Sequence, residues 1–127
     1  MGQSRHSEAF EGAIESFLSF YAGDVVCYPA PGWIDEEVCH GHDGLRRLSA
    51  VWSANFNEIA VEVHEVRDLH ERLVILARFT GRAKGSDVRV SQPFGAINSR
   101  LRDDGKVGEV RFFLSWDEAL QAAGLPA

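Results

Sequence analysis

The chain has 127 residues, 45% of them hydrophobic and 25% charged, the make-up of one ordinary folded domain covering 1–127. Thirteen basic against nineteen acidic residues give a net charge of −6, and Arg46, Arg47, Arg100 and Arg102 stand among acids without forming a stripe, so nucleic acid is not an expected partner. No apolar run approaches the ~20 residues of a membrane span, the polar start Met1 to Ser7 lacks a secretion signal, and Cys27 and Cys39 alone make no disulfide framework; no membrane contact and a cytoplasmic setting are expected.

Ser7 can cap a first helix with Phe10, Ala13, Ile14, Phe17, Leu18 and Tyr21 on its buried face, and Gly12 can divide it. Asp24 to Tyr28 reads as a strand, halted by Pro29 and Pro31. Trp33 to Glu37 reads as a loop and Val38 to His40 as a short strand. Asp43 can cap the next helix, whose stripe is Leu45, Leu48, Trp52 and Phe56. From Ile59 the period changes to two. Ala60 to Arg67 alternates as a half-solvated strand, Asp68 to Glu71 turns, and Arg72 to Thr80 forms the next strand. Lys84 to Asp87 turns again. Val88 to Arg102 follows, with Pro93 implying a bulge or an edge.

The C-terminal block carries the most punctuation. Asp103-Asp104-Gly105-Lys106 is a tight turn, Val107 to Leu114 a strand and Ser115 to Leu125 a short helix. Ser115 and Glu118 can form a capping box, Gly124 suits the left-handed position after the last turn, and Leu125 can fold back onto Leu120. This order of helices, a short strand pair, a helix and hairpin-linked strands is α+β.

The turn, long strand and terminal helix resemble the C-terminus of the SnoaL-like branch of the NTF2-like, ketosteroid-isomerase-like superfamily, where the helix reads "eALeaaGL". Asp24-Val25-Val26, the segment His40-Gly41-His42-Asp43-Gly44-Leu45-Arg46 (the family's "rGrdgir"), and Gly81-Arg82 with Gly85-Ser86 extend the resemblance over nearly the whole chain. It implies a cone: a curved antiparallel sheet wrapped around helices. It also implies a pocket for a small apolar organic ligand, no cofactor, and a homodimer formed through the sheet. The family's first helix is usually longer, so a more open pocket is expected.

Fold does not decide function here. Ketosteroid isomerases place an acidic base beyond the first strand, where this chain reads Cys27-Tyr28-Pro29-Ala30. Epoxide-hydrolase relatives need an acid after an arginine on the final strand, where Phe112 and Phe113 follow Arg111. SnoaL-type cyclases use His and Asp inside the cone, and Phe94 to Ser99 holds neither. The remaining catalytic candidates are Tyr28 as a hydrogen-bond donor, His40 as an acid or base, and Arg111, which the resemblance points into the cone. Trp33, Trp52, Phe56 and Phe113 are expected to shape the pocket, with Gln92 and Asn98 available to a ligand carbonyl. Each also has a plainer reading, as core, bulge cap or solvated surface. Cys27, Cys39, His40 and His42 lack knuckle spacing, and adjacent Cys39 and His40 point to opposite faces, so no metal site is expected. The expected function is cofactor-free acid–base chemistry (isomerisation, cyclisation or hydrolysis and hydration) on a polyketide- or terpenoid-like molecule. The alternative is a non-catalytic ligand-binding or dimerising module.

Overall fold

The protein is described by a computed structural model covering residues 15–33 and 37–126. Ser7, Gly12 and most of the expected first helix lie outside the described residues. Residues 15–18 are helical, and Tyr21 opens the first strand instead of closing the helix stripe. The elements are β1 (Tyr21–Tyr28), β2 (Cys39–His40), α1 (Gly41–Asn55), β3 (Phe56–Asp68), β4 (Leu73–Ala83), β5 (Arg89–Ser99), β6 (Val107–Phe113) and α2 (Trp116–Ala122).

The six strands form one curved sheet in the order β2-β1-β6-β5-β4-β3. It is mixed, not wholly antiparallel, because β1 and β6 run parallel with Cys27 opposite Val110 and Tyr28 opposite Arg111. The connection through β2 and α1 carries the chain to the far edge, and three successive reversals then bring β6 back beside β1 in the same direction. Hairpin signals report only the reversals, so the sequence gives no sign of the parallel pair.

Local chemistry accounts for the element ends. His40, with extended backbone, is the N-cap residue of α1, and Asp43 falls in the first turn, where it pairs with Arg46 at 2.8 Å. The chain passes from β2 into the helix at Gly41, which takes φ +70 and whose added Cβ would lie 3.1 Å from the Gly23 carbonyl oxygen. Ser115 caps α2 by accepting from the Glu118 amide at 3.1 Å. At the other end Gly124 is left-handed, and the Leu125 amide donates to the Leu120 carbonyl at 2.8 Å. Pro93 pairs with Arg78 in an unbroken β4–β5 ladder, while the β6 ladder begins only at Gly95. It therefore sits on a locally exposed edge of β5 and not at a bulge.

Opposed residues share a face, and the registers define two surfaces. Inside run the rows Val61–Phe79–Gln92, Val63–Ala77–Phe94 and Val66–Ile75–Ala96–Phe112, followed by Leu73–Asn98–Val110–Cys27. The inner core joins Cys27, Ala96 and Val110 to Leu45 and Leu48 of α1. The outer face carries Val74, Leu76 and Ile97 under Ala119, Leu120 and Ala123 of α2. Each fully buried aliphatic side chain of this kind contributes about 1.5–3 kcal/mol, so the sheet centre is held from both sides.

Gly95 is where α2 comes closest: a Cβ there would stand 2.4 Å from the Ala119 Cβ. Gly95→Ala should lower stability by about 1–3 kcal/mol in urea unfolding, despite the better strand propensity of alanine. Gly95→Ala combined with Ala119→Gly should recover part of the loss. Unchanged stability in the single variant would show that the helix slides freely.

Candidate functional site

The inner face is built by the period-two alternation of β3 to β6 and by the helical stripe of α1. Trp52, on that stripe, lies 4.8 Å from Phe79 and 5.6 Å from Phe56, centroid to centroid. Trp33 enters from the loop after β1 and contacts Trp52 at 5.5 Å, Phe112 at 4.9 Å and Phe94 at 6.2 Å. These are the tilted and edge-on spacings that aromatic rings prefer. Phe79 is buried, whereas Trp33, Trp52, Phe56, Phe94 and Phe112 are half-buried and keep ring surface uncovered. Val61, Val63 and Val66 carry the same apolar surface to the sheet edge, each more than half exposed.

Polar groups on this face are few. The inner rows hold only Gln92 and Asn98, with exposed Asp68 at the end of β3. Gln92 and Asn98 do share a face, since no bulge intervenes. Gln92 donates to the Pro93 and Leu114 carbonyls at 2.8 and 2.9 Å. Asn98 is buried, its Oδ1 lacks a donor, and its side chain lies against the Tyr21 hydroxyl. Burial pushes Tyr21 well above its ordinary value, outweighing the Asn98 contact that favours ionisation. Burial likewise pushes the Cys27 thiol up to about 12, with neighbouring Cys39 adding to the effect. Both groups are neutral at pH 7 and are donors, not bases.

Tyr28 and Arg111 are opposed across β1 and β6, but on the outer face. Arg111 does not point into the cone; the residue of β6 that does is Phe112, one position on. The Arg111 guanidinium carbon lies 4.2 Å from the Tyr28 ring centroid. Phe113 shares this face, as the alternation from Arg111 requires, and packs with Trp116 and Leu120 outside the cone. Tyr28 and Arg111 line an open cleft of about 650 Å³ together with Pro29, Pro31, Val38, Phe112, Phe113, Glu118, Gln121 and Ala122. His40, opposite Val26, lies on the same face; it is exposed and forms no hydrogen bond or ion pair with Tyr28 or Arg111.

The structure thus divides the sequence candidates. Trp33, Trp52 and Phe56 gather inside with Gln92 and, deeper, Asn98. Tyr28, Arg111 and Phe113 gather outside. The sequence reading missed Phe79, Phe94 and Phe112 as inner walls and Tyr21 as the buried donor; for Phe79 and Phe94 the strand alternation was a usable signal. Cys39 is buried and His40 exposed, as their adjacency on a strand implies. Among the described residues no three His, Cys, Asp or Glu side chains cluster as metal ligands, and no helix is long and apolar enough to cross a membrane.

Residues 4–110 match the model of the SnoaL-like domain. Solved structures show the same fold. A protein of Catenulispora acidiphila DSM 44928 with a ketosteroid isomerase-like fold, crystallised in complex with trimethylamine, is 16% identical, with a TM-score of 0.69 over 94% of this chain and 89% of its own. TerC, co-crystallised with polyporic acid, is 17% identical, with a TM-score of 0.71 over 94% and 91%. A Jannaschia sp. CCS1 protein assigned as a SnoaL-like polyketide cyclase is 20% identical, with a TM-score of 0.67 over 91% and 81%. No curated protein matches the sequence.

The buried Tyr21 and Cys27 link stability to alkaline pH. Each releases its proton at higher pH folded than unfolded, so above the unfolded value the unfolded chain binds fewer protons and gains in relative stability. Their contribution is intact below pH 9 and falls as pH rises towards 12, first through Cys27 and then Tyr21. The slope for each group is at most about 1.4 kcal/mol per pH unit. Urea midpoints measured from pH 7 to 11 should decline above pH 9, and Cys27→Ala should flatten the part between 9 and 10. A flat wild-type profile would refute the assignment.

Proposed function

Because the chain belongs to the SnoaL-like domain family, we propose that its cone binds a small, flat, apolar organic molecule and holds it without converting it. The inner face carries the proposal: half-exposed aromatic rings and exposed valines form one concave surface whose polar groups, among the described residues of the inner rows, are Gln92, Asn98 and, exposed at the end of β3, Asp68. Such a surface, apolar with few fixed polar groups, suits a small organic ligand. Acid–base turnover needs a group that exchanges protons near neutral pH within reach of the substrate. Among the described residues of the inner rows the one carboxylate is Asp68, exposed at the end of β3; Tyr21 and Cys27 stay protonated, and Gln92 and Asn98 do not titrate. Polarisation of a substrate inside the cone by Tyr28 and Arg111 loses support because both occupy the outer face.

The ligand would stack on Trp33 and Trp52, with Phe56, Phe94 and Phe112 as walls and a Gln92 or Asn98 amide meeting any carbonyl. The homodimer and the cytoplasmic setting remain part of this reading. The dimer is supported by β3, a thirteen-residue edge strand that natural proteins tend to cover. Sedimentation velocity distinguishes the two oligomeric states directly.

Titration with a neutral flat aromatic such as 2-naphthol should quench tryptophan emission saturably and raise the melting temperature. Trp33→Leu keeps apolar bulk but removes the ring, and should weaken binding by about tenfold. The naphthol should be recovered unchanged. Absence of saturable quenching, or equal affinity in the variant, would overturn the proposal.

A further inference from the structure

We infer that the outer cleft, which shares Phe112 with the cone wall but opens beside Arg111 on the outer face, is a second ligand site that takes a small monocarboxylic acid with an apolar body. Among the described residues Arg111 alone of the arginines has neither a hydrogen-bond nor an ion-pair partner. The others meet Glu15, Glu37, Glu58, Glu65, Glu109 or Asp24, a backbone carbonyl, or the Ser91 hydroxyl. Arg111 is nonetheless held in place: its guanidinium rests over the Tyr28 ring at 4.2 Å, an arrangement favoured by the ring's negative face. That leaves its donors uncommitted at the side of a cleft large enough for a molecule of several carbon atoms.

The walls settle the class. Pro29, Pro31, Val38 and Phe113 offer rigid apolar surface, which suits a hydrocarbon body rather than a hydrated inorganic anion. The guanidinium fork matches the two oxygens of a carboxylate. Gln121 adds a neutral polar group, and Glu118 adds a negative charge to the same cleft, with no ion pair between Glu118 and Arg111. One negative charge on the ligand can be met by Arg111, and a second would face Glu118 uncompensated. The cleft therefore selects monoanions over dianions, with Glu118 as the residue that sets this preference.

The test is an amide NMR titration with phenylacetate, with 2-phenylethanol as the neutral analogue and phthalate as the dianion. Phenylacetate should saturate with a Kd of about 1 mM or tighter, as a good fragment-sized ligand would. Shifts should centre on Arg111, Phe113, Glu118 and Gln121. Arg111→Gln, at an exposed position, should keep the wild-type spectrum elsewhere and bind about tenfold more weakly or worse, with Arg111→Lys intermediate. Glu118→Gln should retain phenylacetate binding and admit phthalate. Equal affinity in Arg111→Gln, equal binding of phenylethanol, no saturation, or shifts centred on Trp33 and Trp52 would each overturn the inference. The last result would point to the cone; loss of naphthol binding in the cone leaves the cleft result unaffected.

Discussion

The centre of the sheet is covered on both sides, and the approach of α2 to β5 makes that possible. Gly95 has no side chain to hold the helix off, so Ala119 settles against the strand backbone and Val74, Leu76 and Ile97 are sealed beneath it. With α1 already occupying the concave side, the central residues of β5 and β6 face either the inner core or the layer beneath α2. Parity along the strand then decides chemistry. A shift of one residue would exchange Phe112 for Arg111 and place a cation among the aromatic rings, at the cost of desolvating it without a partner. The two cores therefore enforce the register as firmly as the hydrogen bonds do.

This explains how much of the molecule was legible in its sequence. Elements with local signals were readable. The turn at Asp104-Gly105, the Ser115 cap, the left-handed Gly124 and the alternation from Val61 to Val66 depend on neighbours within a few positions. Family resemblance supplied the cone. The face of Arg111 was not readable, because alternation shows that Arg111 and Phe113 share a side but not which side that is. Only the docking of α2 through Trp116 and Leu120 fixes it. Asp43 misled for a related reason: the helix begins directly after β2 with His40 as its N-cap, and Asp43 falls in the first turn instead of before it. The pairing of Tyr28 with Arg111 depends on a parallel contact between the first and last thirds of the chain, which no local pattern announces.

The separation of charge between the two faces constrains function more than any single residue. On the inner face Tyr21, Cys27, Gln92 and Asn98 supply hydrogen bonds, and burial keeps the ionisable members of that group neutral. Among the described residues of the inner rows, a developing negative charge would find these donors, and the one carboxylate, Asp68, stands exposed at the end of β3. Asn98 Oδ1 stays buried without a donor, a cost of about 1–3 kcal/mol. The outer cleft is the reverse, with a held, uncommitted cation, a nearby carboxylate and apolar walls. On the reading proposed above, one fold presents an aromatic surface suited to discrimination by shape and stacking, and a charged cleft suited to discrimination by ligand charge. The same sheet serves both, because β6 sends Phe112 to one and Arg111 to the other.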